Sequence, residues 1–528
     1  MTERGEKHTQ ASVPARRDVP DDGTELTLDP ADWSTLRTQA HQMLDDMLLH
    51  LATLREQPAW QPMPAAVQQA LGATDTAMPI AGEPLADVYS QFVTNILPYT
   101  SGNRHPRAWG WVRGTGTPVA MLAEMLAAGI NAHVGGGNSA PVLVEQQVIT
   151  WLARALEMPE GTSGLLTSGG TMANLLGLAV ARHAGAGFDV REEGLSGAPR
   201  MTFYCSNETH FWARKAVELL GLGRASLREV AVDREYRVDL EALQLQIDED
   251  RRAGMQPIAV IGNAGTVNTG AMDDLIALRR LADRERMWLH VDGAIGALLK
   301  LAPGSAGLVG GLESADSVAC DLRKWRYLPC EAGCLLVRDS GLDRAACATA
   351  ASYMEPEARG MLSGDLSFAD LGIESSRSFK ALKVWMALKT HGLRTLGALI
   401  EQNVSQAAYL AALVAGDPEL EMLAPLASNV VCFAYKPPES GREREQAARV
   451  DRNALQRELV IRLQESGEWI VSGTVLKTAS GDRYAIRVAI TNHRSRREDY
   501  EALAQAVVAT GRQVCADLVG QDERAAHA

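Results

Sequence analysis

The sequence predicts an α/β fold built on a large, mostly parallel sheet. From residue 101 to residue 395, short apolar runs alternate with segments whose apolar residues recur at helical spacing, which is the pattern of a parallel sheet wrapped by helices. Each run is bounded by Gly, Asn or Asp and is too short for a helix, so we expect it to form a buried strand. The clearest runs are residues 258–261, 287–291 and 317–320.

Smaller regions flank this predicted sheet. Before it, the chain reads as helices separated by turns rich in Pro and Gly, and after it a second α/β pattern has predicted strands at 429–435 and 484–491. The first residues mix both charges with prolines, which is typical of a disordered tail. We predict a disordered tail (1–30), a helical N-terminal extension (31–100), a large ligand-binding domain (101–395), a smaller C-terminal α/β domain (396–520) and a second tail (521–528).

The composition of the chain argues against some classes of binding partner and favours one cellular compartment. Hydrophobic residues make up 46% of the 528 residues and charged residues 22%, the balance of a globular protein that needs no disulfides for its core. The net charge of −13 argues against nucleic acids and anionic membranes as partners, and no apolar run is long enough to span a bilayer. Seven scattered cysteines suit free thiols in the cytoplasm. No metal site is predicted, because Cys330 and Cys334 have no second pair of ligands.

A glycine-rich turn is the first candidate binding feature. Residues 167–174, Thr-Ser-Gly-Gly-Thr-Met-Ala-Asn, lead into Met172, Leu175, Leu176 and Ala179, which share one helix face. The exposed amides and the dipole of a helix N-terminus favour a phosphate group there. The lysine of a P-loop and the glycine spacing of a dinucleotide-binding turn are both missing. Taken alone, the segment fits a simple capped turn better than a phosphate-binding turn.

Three further side chains give this turn a chemical context. Asp292 ends a predicted buried strand, at the edge where doubly wound sheets bind ligands, and Lys324 follows the next predicted strand by four residues. Pyridoxal phosphate needs a helix N-terminus for its phosphate, a carboxylate for its ring nitrogen and a lysine for its aldehyde. His210 follows the apolar stretch 201–204 and would lay an imidazole on the ring face. Each residue alone is more often structural, whereas the combination is specific.

With these residues in place, the sequence resembles the group II pyridoxal-phosphate-dependent decarboxylases, which include the aromatic amino acid, histidine and glutamate decarboxylases. The likeness extends from about residue 103 to residue 492. It implies an aspartate-aminotransferase-like fold (fold type I of the pyridoxal-phosphate enzymes) and a homodimer with shared active sites. The matching motifs are His105-Pro-Arg107, Ser168-Gly-Gly-Thr171, Glu208-Thr-His210, Gly262-Asn-Ala-Gly-Thr266, His290-Val-Asp292 with Ala294, Arg323-Lys-Trp325 and Phe379-Lys-Ala-Leu-Lys-Val-Trp385.

The resemblance also assigns roles to individual residues. Lys324 would form the internal aldimine, Asp292 would pair with the pyridinium nitrogen and His210 would stack on the ring. Trp109 and Trp111 fall where the family places substrate-pocket residues. The other cofactor contacts that it implies are Gly169, Gly170, Thr171, Thr266 and Ala294.

Two departures from the family pattern bear on the chemistry. Arg323 stands where the family usually has His before the lysine. A guanidinium stays charged and cannot pass a proton near neutral pH, but it can bind a phosphate or carboxylate and lower the pKa of Lys324. Counting back from Arg377, Phe368 falls at the place of the loop tyrosine that protonates the substrate carbon. In plant aldehyde synthases of this family, Phe at that place accompanies oxidative deamination.

We therefore predict a carboxy-lyase that removes carbon dioxide from an L-amino acid through an external aldimine and a quinonoid. Two alternatives stay open. In one, decarboxylation is coupled to oxidative deamination and yields an aldehyde, ammonia and peroxide; in the other, the chain is a catalytically silent homologue that binds the cofactor. Trp109 and Trp111 give a slight preference for an aromatic substrate. Arg104, Arg107 and Arg113 could bind an acidic one, but buried arginines more often pair with carboxylates of the protein.

Overall fold

The structure, a computed structural model, describes residues 25–73, 78–349, 357–438, 450–478 and 481–526. Most of the tail predicted at 1–30 lies outside these ranges. The strands are β1 (Ser163–Thr167), β2 (Met201–Ser206), β3 (Leu227–Val230), β4 (Gln256–Asn263), β5 (Trp288–Asp292), β6 (Ser317–Asp321), β7 (Gly333–Val337), β8 (Leu420–Met422), β9 (Val430–Tyr435), β10 (Ser472–Thr478) and β11 (Gly481–Ala489). The helices are α1 (Trp33–Ala52), α2 (Ala65–Gly72), α3 (Leu85–Asn95), α4 (Pro118–Ile130), α5 (Ala140–Ala155), α6 (Gly170–Gly185), α7 (Val190–Glu193), α8 (Trp212–Leu219), α9 (Leu240–Arg252), α10 (Leu275–Glu285), α11 (Leu322–Trp325), α12 (Leu342–Cys347), α13 (Ala381–Gly416), α14 (Arg452–Glu465) and α15 (Arg497–Ala526).

Seven strands form the central sheet in the order β1-β7-β6-β5-β4-β2-β3. β7 is antiparallel to both of its neighbours, and the other neighbouring pairs are parallel. The runs predicted at 258–261, 287–291 and 317–320 coincide with β4, β5 and β6, which are buried along almost their whole length. Such strands read as continuous apolar runs because helices cover both faces of the sheet. The predicted α/β fold with a mostly parallel central sheet is therefore confirmed.

The carboxyl ends of neighbouring strands meet at one edge of this sheet. Asn263 at the end of β4 lies opposite Asp292 at the end of β5, and Asp292 lies opposite Ala319 in β6. Helix α6 packs on β5, β6 and β7. In open α/β sheets, ligands bind outside the carboxyl ends of the strands. This edge is therefore the place to look for a site.

Four antiparallel strands form a second sheet in the order β10-β11-β9-β8. Helices α14 and α15 pack against each other and against this sheet. Its core contains the aromatic side chains of Phe433, Tyr435 and Tyr500. The strands predicted at 429–435 and 484–491 coincide with β9 and β11.

Helix α13 contributes to both cores. Val384 packs in the core of the central sheet, and Leu410 and Val414 pack in the core of the second sheet. The chain bends at Gly392, where φ is 73°, a conformation that glycine adopts without steric cost. The domain boundary predicted after residue 395 falls inside this helical segment, because one helix serves both sheets. The predicted domain limits stay a prediction.

Helices lie near both ends of the described chain, and the N-terminal one packs little on the rest of the protein. Helix α1 has no buried residue, and Trp33 and Leu49 are each 63% exposed. At the other end, α15 continues to Ala526, into the segment predicted as a tail at 521–528. Among the described helices, none is both long and apolar enough to cross a membrane.

Candidate active site

The glycine-rich turn joins β1 to the N-terminus of α6. Thr167, the last residue of β1, donates its hydroxyl hydrogen to the Gly169 carbonyl oxygen over 3.0 Å, and α6 begins at Gly170. Gly169 is the N-cap residue and has no side chain with which to bond the first amides of the helix. Thr171, in the first turn, is exposed. The free amides at the positive end of the helix dipole are therefore available to an anion.

Glycine also lets α6 approach the ends of β5 and β6 closely. A Cβ atom at Gly170 would lie 3.3 Å from the Cβ of Ala294 and 3.4 Å from the Cβ of Asp321. Further along α6, a Cβ atom at Gly177 would lie 2.4 Å from the His290 ring. The anion-binding turn, Ala294 and Asp321 therefore belong to one small region.

A buried hydrogen-bond network holds α6 on the sheet. The Nε2 atom of His290 lies 2.8 Å from Asn174 Oδ1, and its Nδ1 atom lies 2.7 Å from Ser317 Oγ. Asn174 in turn donates from Nδ2 to the Gly170 carbonyl oxygen over 2.9 Å. Burial lowers the pKa of His290 to about 4, with Asp292 opposing the shift. The ring is therefore neutral at pH 7.

We expect the protein to lose stability as the pH falls from about 6.5 towards about 4. His290 titrates near 6.5 in an unfolded chain and near 4 in the folded one. Between these values the unfolded chain binds the extra proton, so the stabilising contribution is complete above pH 6.5 and is lost as the pH falls. The midpoint of thermal unfolding should drop between pH 7 and pH 5 by more in the wild type than in His290→Gln. His41→Gln, at an exposed site, is the control; equal drops in His290→Gln and the wild type would refute the prediction.

Asp292, the last residue of β5, presents a buried carboxylate. Its Oδ2 atom accepts a hydrogen bond from Trp212 Nε1 over 2.6 Å, and its Oδ1 atom accepts one from the Ala294 amide over 3.1 Å. A carboxylate offers about four acceptor positions, so two are left for a further donor. A protonated ring nitrogen is such a donor.

His210 lies close enough to Asp292 and Lys324 for both charges to affect the pKa of its ring. The Trp212 amide donates to His210 Nδ1 over 3.2 Å, so a neutral ring carries its proton on Nε2. Burial lowers the pKa of His210, while Asp292 opposes this shift and Lys324 adds to it. A neutral imidazole with a free Nε2–H group therefore faces the site.

Lys324 lies in the short helix α11, directly after β6. Asp321 caps this helix, because its Oδ1 atom accepts a hydrogen bond from the Arg323 amide over 3.0 Å. Burial lowers the pKa of the Lys324 amine; Asp321 and Asp292 oppose the shift, and Arg323 and Arg487 add to it. A lysine in this environment is deprotonated more readily than a surface lysine, which favours reaction with an aldehyde.

Two aromatic residues tie the lysine turn to α13. Trp325 Nε1 and the Tyr327 hydroxyl donate to Asn403 Oδ1 over 3.2 Å and 3.0 Å. Asn403 donates from Nδ2 to the Asn492 carbonyl oxygen over 3.1 Å. These buried bonds hold the backbone on the carboxyl side of Lys324 against both sheets.

Arg323 forms an ion pair beside the anion-binding turn. Its Nη2 atom lies 3.2 Å from Asp321 Oδ2, and its Nη1 atom lies 3.8 Å from Cys330 Sγ. Because Asp321 adjoins Gly170, the ion pair brings a guanidinium to the turn and offsets the charge of the carboxylate. Arg323 therefore acts through its charge and not as a proton carrier.

The loop after β4 lies at the same edge of the central sheet. The hydroxyl oxygen of Thr266 accepts a hydrogen bond from the Ala271 amide over 3.1 Å and lies 3.0 Å from Thr269 Oγ1. The Ala264 amide donates to the Asp292 carbonyl oxygen over 2.9 Å. Thr266 is thereby held beside the end of β5, where a cofactor contact was predicted.

Pyridoxal phosphate fits this arrangement. The helix N-terminus has no side-chain cap on its first amides, the carboxylate of Asp292 keeps two acceptor positions, and the pKa of the Lys324 amine is lowered. All three groups lie at the carboxyl edge of one sheet, as binding of the phosphate, ring nitrogen and aldehyde of this cofactor requires.

Sequence comparison decides the family. The conserved domain of the pyridoxal-dependent decarboxylases matches residues 67–436, more than half of the chain. The chain belongs to the pyridoxal-dependent decarboxylase family. The predicted membership, the decarboxylase class and pyridoxal phosphate as cofactor are thereby confirmed.

Several relatives match along almost their whole length. An aromatic-L-amino-acid decarboxylase of Bacillus atrophaeus is 29% identical over 91% of this chain and 96% of its own. A phenylacetaldehyde synthase of Arabidopsis thaliana is 27% identical over 92% of this chain and 98% of its own. The crystal structure of Oryza sativa TDC with PLP and tryptamine is 23% identical, with a TM-score of 0.83 over 93% of this chain and 100% of that one. This likeness confirms the predicted fold type.

The two tryptophans predicted to line the substrate pocket of this decarboxylase lie in different surroundings. Trp109 is buried in the core of the second sheet, where its Nε1 atom donates to Ser495 Oγ over 2.9 Å and its ring stacks on Tyr500 with centroids 4.9 Å apart. The ring is a core residue, and a role for Trp109 in the substrate pocket stays a prediction. Trp111 is 53% exposed and lies under the Arg113 guanidinium, 4.8 Å from the ring centroid.

Phe368, at the place expected for the loop tyrosine of the decarboxylases, is buried in the core of the central sheet. The Arg377 guanidinium lies 5.6 Å from its ring centroid. The next residue, Ala369, donates its amide hydrogen to the Gly135 carbonyl oxygen over 2.8 Å. None of these partners belongs to the candidate site, so a catalytic role for Phe368 stays a proposal.

Two residues near the site were not predicted from the sequence. Trp212 bonds the carboxylate of Asp292, and only its position two residues after His210 hinted at a role. Arg487 is buried in β11, donates from Nε to the Asn268 carbonyl oxygen over 3.0 Å and helps to lower the pKa of Lys324. Nothing in the sequence marks it, because the second sheet brings it there.

Proposed function

We propose that this decarboxylase removes carbon dioxide from an L-amino acid at a site centred on Lys324, with the amine as its main product. The observation that supports this proposal is the convergence of Lys324, Asp292 and the N-terminus of α6 at one sheet edge. When bound, pyridoxal phosphate supplies an electron sink for the electrons of the breaking carbon–carboxylate bond.

The residues of the chain prepare this chemistry by orienting groups and holding protons. Asp292, fixed by Trp212, keeps a proton on the ring nitrogen, which strengthens the sink. The neutral ring of His210 is held by the Trp212 amide and would lie against the face of the cofactor ring. The lowered pKa of Lys324 favours its unprotonated amine, which would hold the cofactor through its aldehyde. Gly169, Gly170 and Thr171 would hold the phosphate.

Oxidative deamination is the second candidate function, and Phe368 is the observation that favours it. A phenyl group cannot donate a proton to the substrate carbon, so oxygen has time to react there. One amino acid, one dioxygen and one water then give an aldehyde, carbon dioxide, ammonia and hydrogen peroxide. The Arabidopsis relative is named for such an aldehyde product.

Product analysis separates these functions. The aerobic holoenzyme is given a pool of L-amino acids, products are identified by mass spectrometry and peroxide is assayed in parallel. We expect an amine without peroxide. An aldehyde with stoichiometric peroxide would reject the main proposal in favour of oxidative deamination, and Phe368→Tyr should then raise the amine fraction. No product from any amino acid would support the silent homologue.

We further propose that the enzyme is a homodimer with shared active sites. Apolar side chains of α1 and α4 are exposed in the single chain, among them Leu49 (63%), Met125 (54%) and Ile130 (60%). Apolar surface of this kind is usually covered by a partner. A second copy of the chain is the proposed partner.

Ile130→Glu should convert the dimer to monomers, because it places a charge in the proposed interface. Light scattering after size-exclusion chromatography measures the mass of each species. Ile461→Glu, at another exposed isoleucine on α14, is the matched control and should stay dimeric. A wild-type protein with the mass of one chain would refute the dimer.

The proposed compartment is the cytoplasm. Cys205, Cys320 and Cys432 are buried free thiols, and burial raises the pKa of each to about 12. Unpaired thiols of this kind persist where glutathione and thioredoxin keep cysteines reduced.

A further inference from the structure

A cavity of about 820 Å³ adjoins the lysine turn and carries an unusual charge. It extends from Arg323 and the segment 111–117 to one face of α1. Its lining residues include no Asp or Glu among the described part of the chain. The cationic side chains that line it are Arg104, Arg113, Arg323 and Arg494.

Three of these four guanidinium groups have no carboxylate partner among the described residues. The guanidinium of Arg494 donates to the carbonyl oxygens of Thr115 and Gly116, each over 3.2 Å, and to no carboxylate of the described residues. Arg113 lies over the Trp111 ring. Arg104 has neither an ion pair nor a side-chain hydrogen bond within the described ranges, and Arg323 alone is paired with an acid.

Arg107 shows what a structural arginine looks like in the same segment. It lies three residues after Arg104, and its Nε and Nη1 atoms pair with Asp499 over 3.0 Å and Glu468 over 3.5 Å. Arg107 does not line the cavity. From the sequence alone, Arg104 and Arg107 cannot be distinguished. In the structure, Arg107 is paired with two carboxylates, whereas Arg104 has no carboxylate partner among the described residues.

The unpaired charges act on one another. Burial lowers the pKa of Arg494 to about 10, and Arg104 adds to this shift. Burial also lowers the pKa of Arg104. Partly buried like charges without counter-charges are costly, and an anion placed between them relieves both the desolvation and the repulsion.

The cavity lies directly beside the catalytic turn. Arg323, which lines it, is the chain neighbour of Lys324. The segment 111–117 packs on the same turn, because a Cβ atom at Gly114 would lie 1.8 Å from the Arg323 carbonyl oxygen. The cavity therefore adjoins the turn that carries Lys324.

We propose that this cavity binds a negatively charged substrate side chain, so that the amino acid is acidic and not aromatic. The proposal rests on the decarboxylase function given above. Guanidinium groups bind carboxylates through paired, charge-assisted hydrogen bonds, and Arg104, Arg113 and Arg494 supply such donors without an internal competitor. Trp111 forms one wall and supports the stack with Arg113.

Equilibrium binding to the holoenzyme tests the cavity without any turnover. Glutarate and 3-phenylpropanoate both have a carboxylate at one end of a short chain. The other end carries a second carboxylate in glutarate and a phenyl ring in 3-phenylpropanoate. We expect calorimetry to show that glutarate binds at least about tenfold more tightly, and that Arg104→Gln removes this preference while leaving 3-phenylpropanoate unchanged. Arg224→Gln, at an exposed arginine outside the cavity, is the matched control. Tighter binding of 3-phenylpropanoate to the wild type would overturn the proposal, whatever the variant does.

Turnover then distinguishes a substrate side chain from a separate anion. We expect kcat/KM for L-glutamate to exceed that for L-glutamine by at least about tenfold, and Arg104→Gln to raise KM for L-glutamate with little change in kcat. Glutarate that binds but does not compete with the turned-over amino acid would overturn the proposal in favour of an anionic effector. If glutarate binds as expected and no amino acid is turned over, the decarboxylase function fails while the acid-binding cavity stands.

Discussion

Lys324→Ala should abolish amino acid turnover, with a loss of about 10⁴-fold or more in kcat. The buried amine is the group proposed to hold the cofactor aldehyde and to be exchanged for the substrate amine. Lys324→Arg should fail in the same way, because a guanidinium keeps the charge but does not condense with an aldehyde under these conditions. The measurement is kcat together with the visible absorbance of the lysine–cofactor bond.

A surface lysine provides the matched control for this substitution. Lys389→Ala removes an exposed lysine of α13 that stacks on Trp385, with 4.5 Å from Nζ to the ring centroid. Its turnover and its visible absorbance should match the wild type. Substantial turnover by Lys324→Ala would remove the lysine from the proposed mechanism and would leave the role of this edge to be reassigned.

Asp292→Asn should lower kcat by about 10²–10³-fold. The amide keeps the shape of the side chain and one acceptor oxygen for Trp212, but it loses the negative charge that holds a proton on the ring nitrogen. Cofactor binding should weaken as well, because the ring then meets a neutral partner. Both kcat and the dissociation constant of pyridoxal phosphate are measured.

Asp343→Asn is the matched control for a buried aspartate. Asp343 accepts a hydrogen bond from Ser163 over 2.7 Å, at the opposite end of β1 from the anion-binding turn. Its replacement should lower the midpoint of thermal unfolding and leave kcat unchanged. If Asp292→Asn retains full kcat, a charge at the ring nitrogen is not required and the proposed role of Asp292 is wrong.

The parts of this site that have a local sequence pattern could be predicted from the sequence. The turn at Gly169 and Gly170 was visible because glycines precede a helical pattern, and Asp292 and Lys324 were visible because each follows a short apolar run. Such signals depend only on near neighbours in the chain. The interpretation as a cofactor site came from their combination.

Other residues carried no local signature, and their roles depend on packing between distant segments. Trp109 and Trp111 are two residues apart and look equivalent, yet the second sheet encloses the first ring and leaves the second at a cavity. Trp212 was not predicted to belong to the site, although its side chain donates a hydrogen bond that holds the carboxylate of Asp292. The slight preference for an aromatic substrate rested on both tryptophans, and the structure places the ring of Trp109 in the core of the second sheet.

By itself, the sequence determined the α/β class, the order of the central strands along the chain and the three groups proposed to bind pyridoxal phosphate. These follow from apolar periodicity and from residue types that the cofactor requires. Only the tertiary structure decided which arginines are paired: Arg107 meets Asp499 across 392 positions of the chain, whereas Arg104 meets no carboxylate among the described residues. Charge compensation is a property of three-dimensional proximity, so the proposed preference for an acidic substrate could come only from the fold.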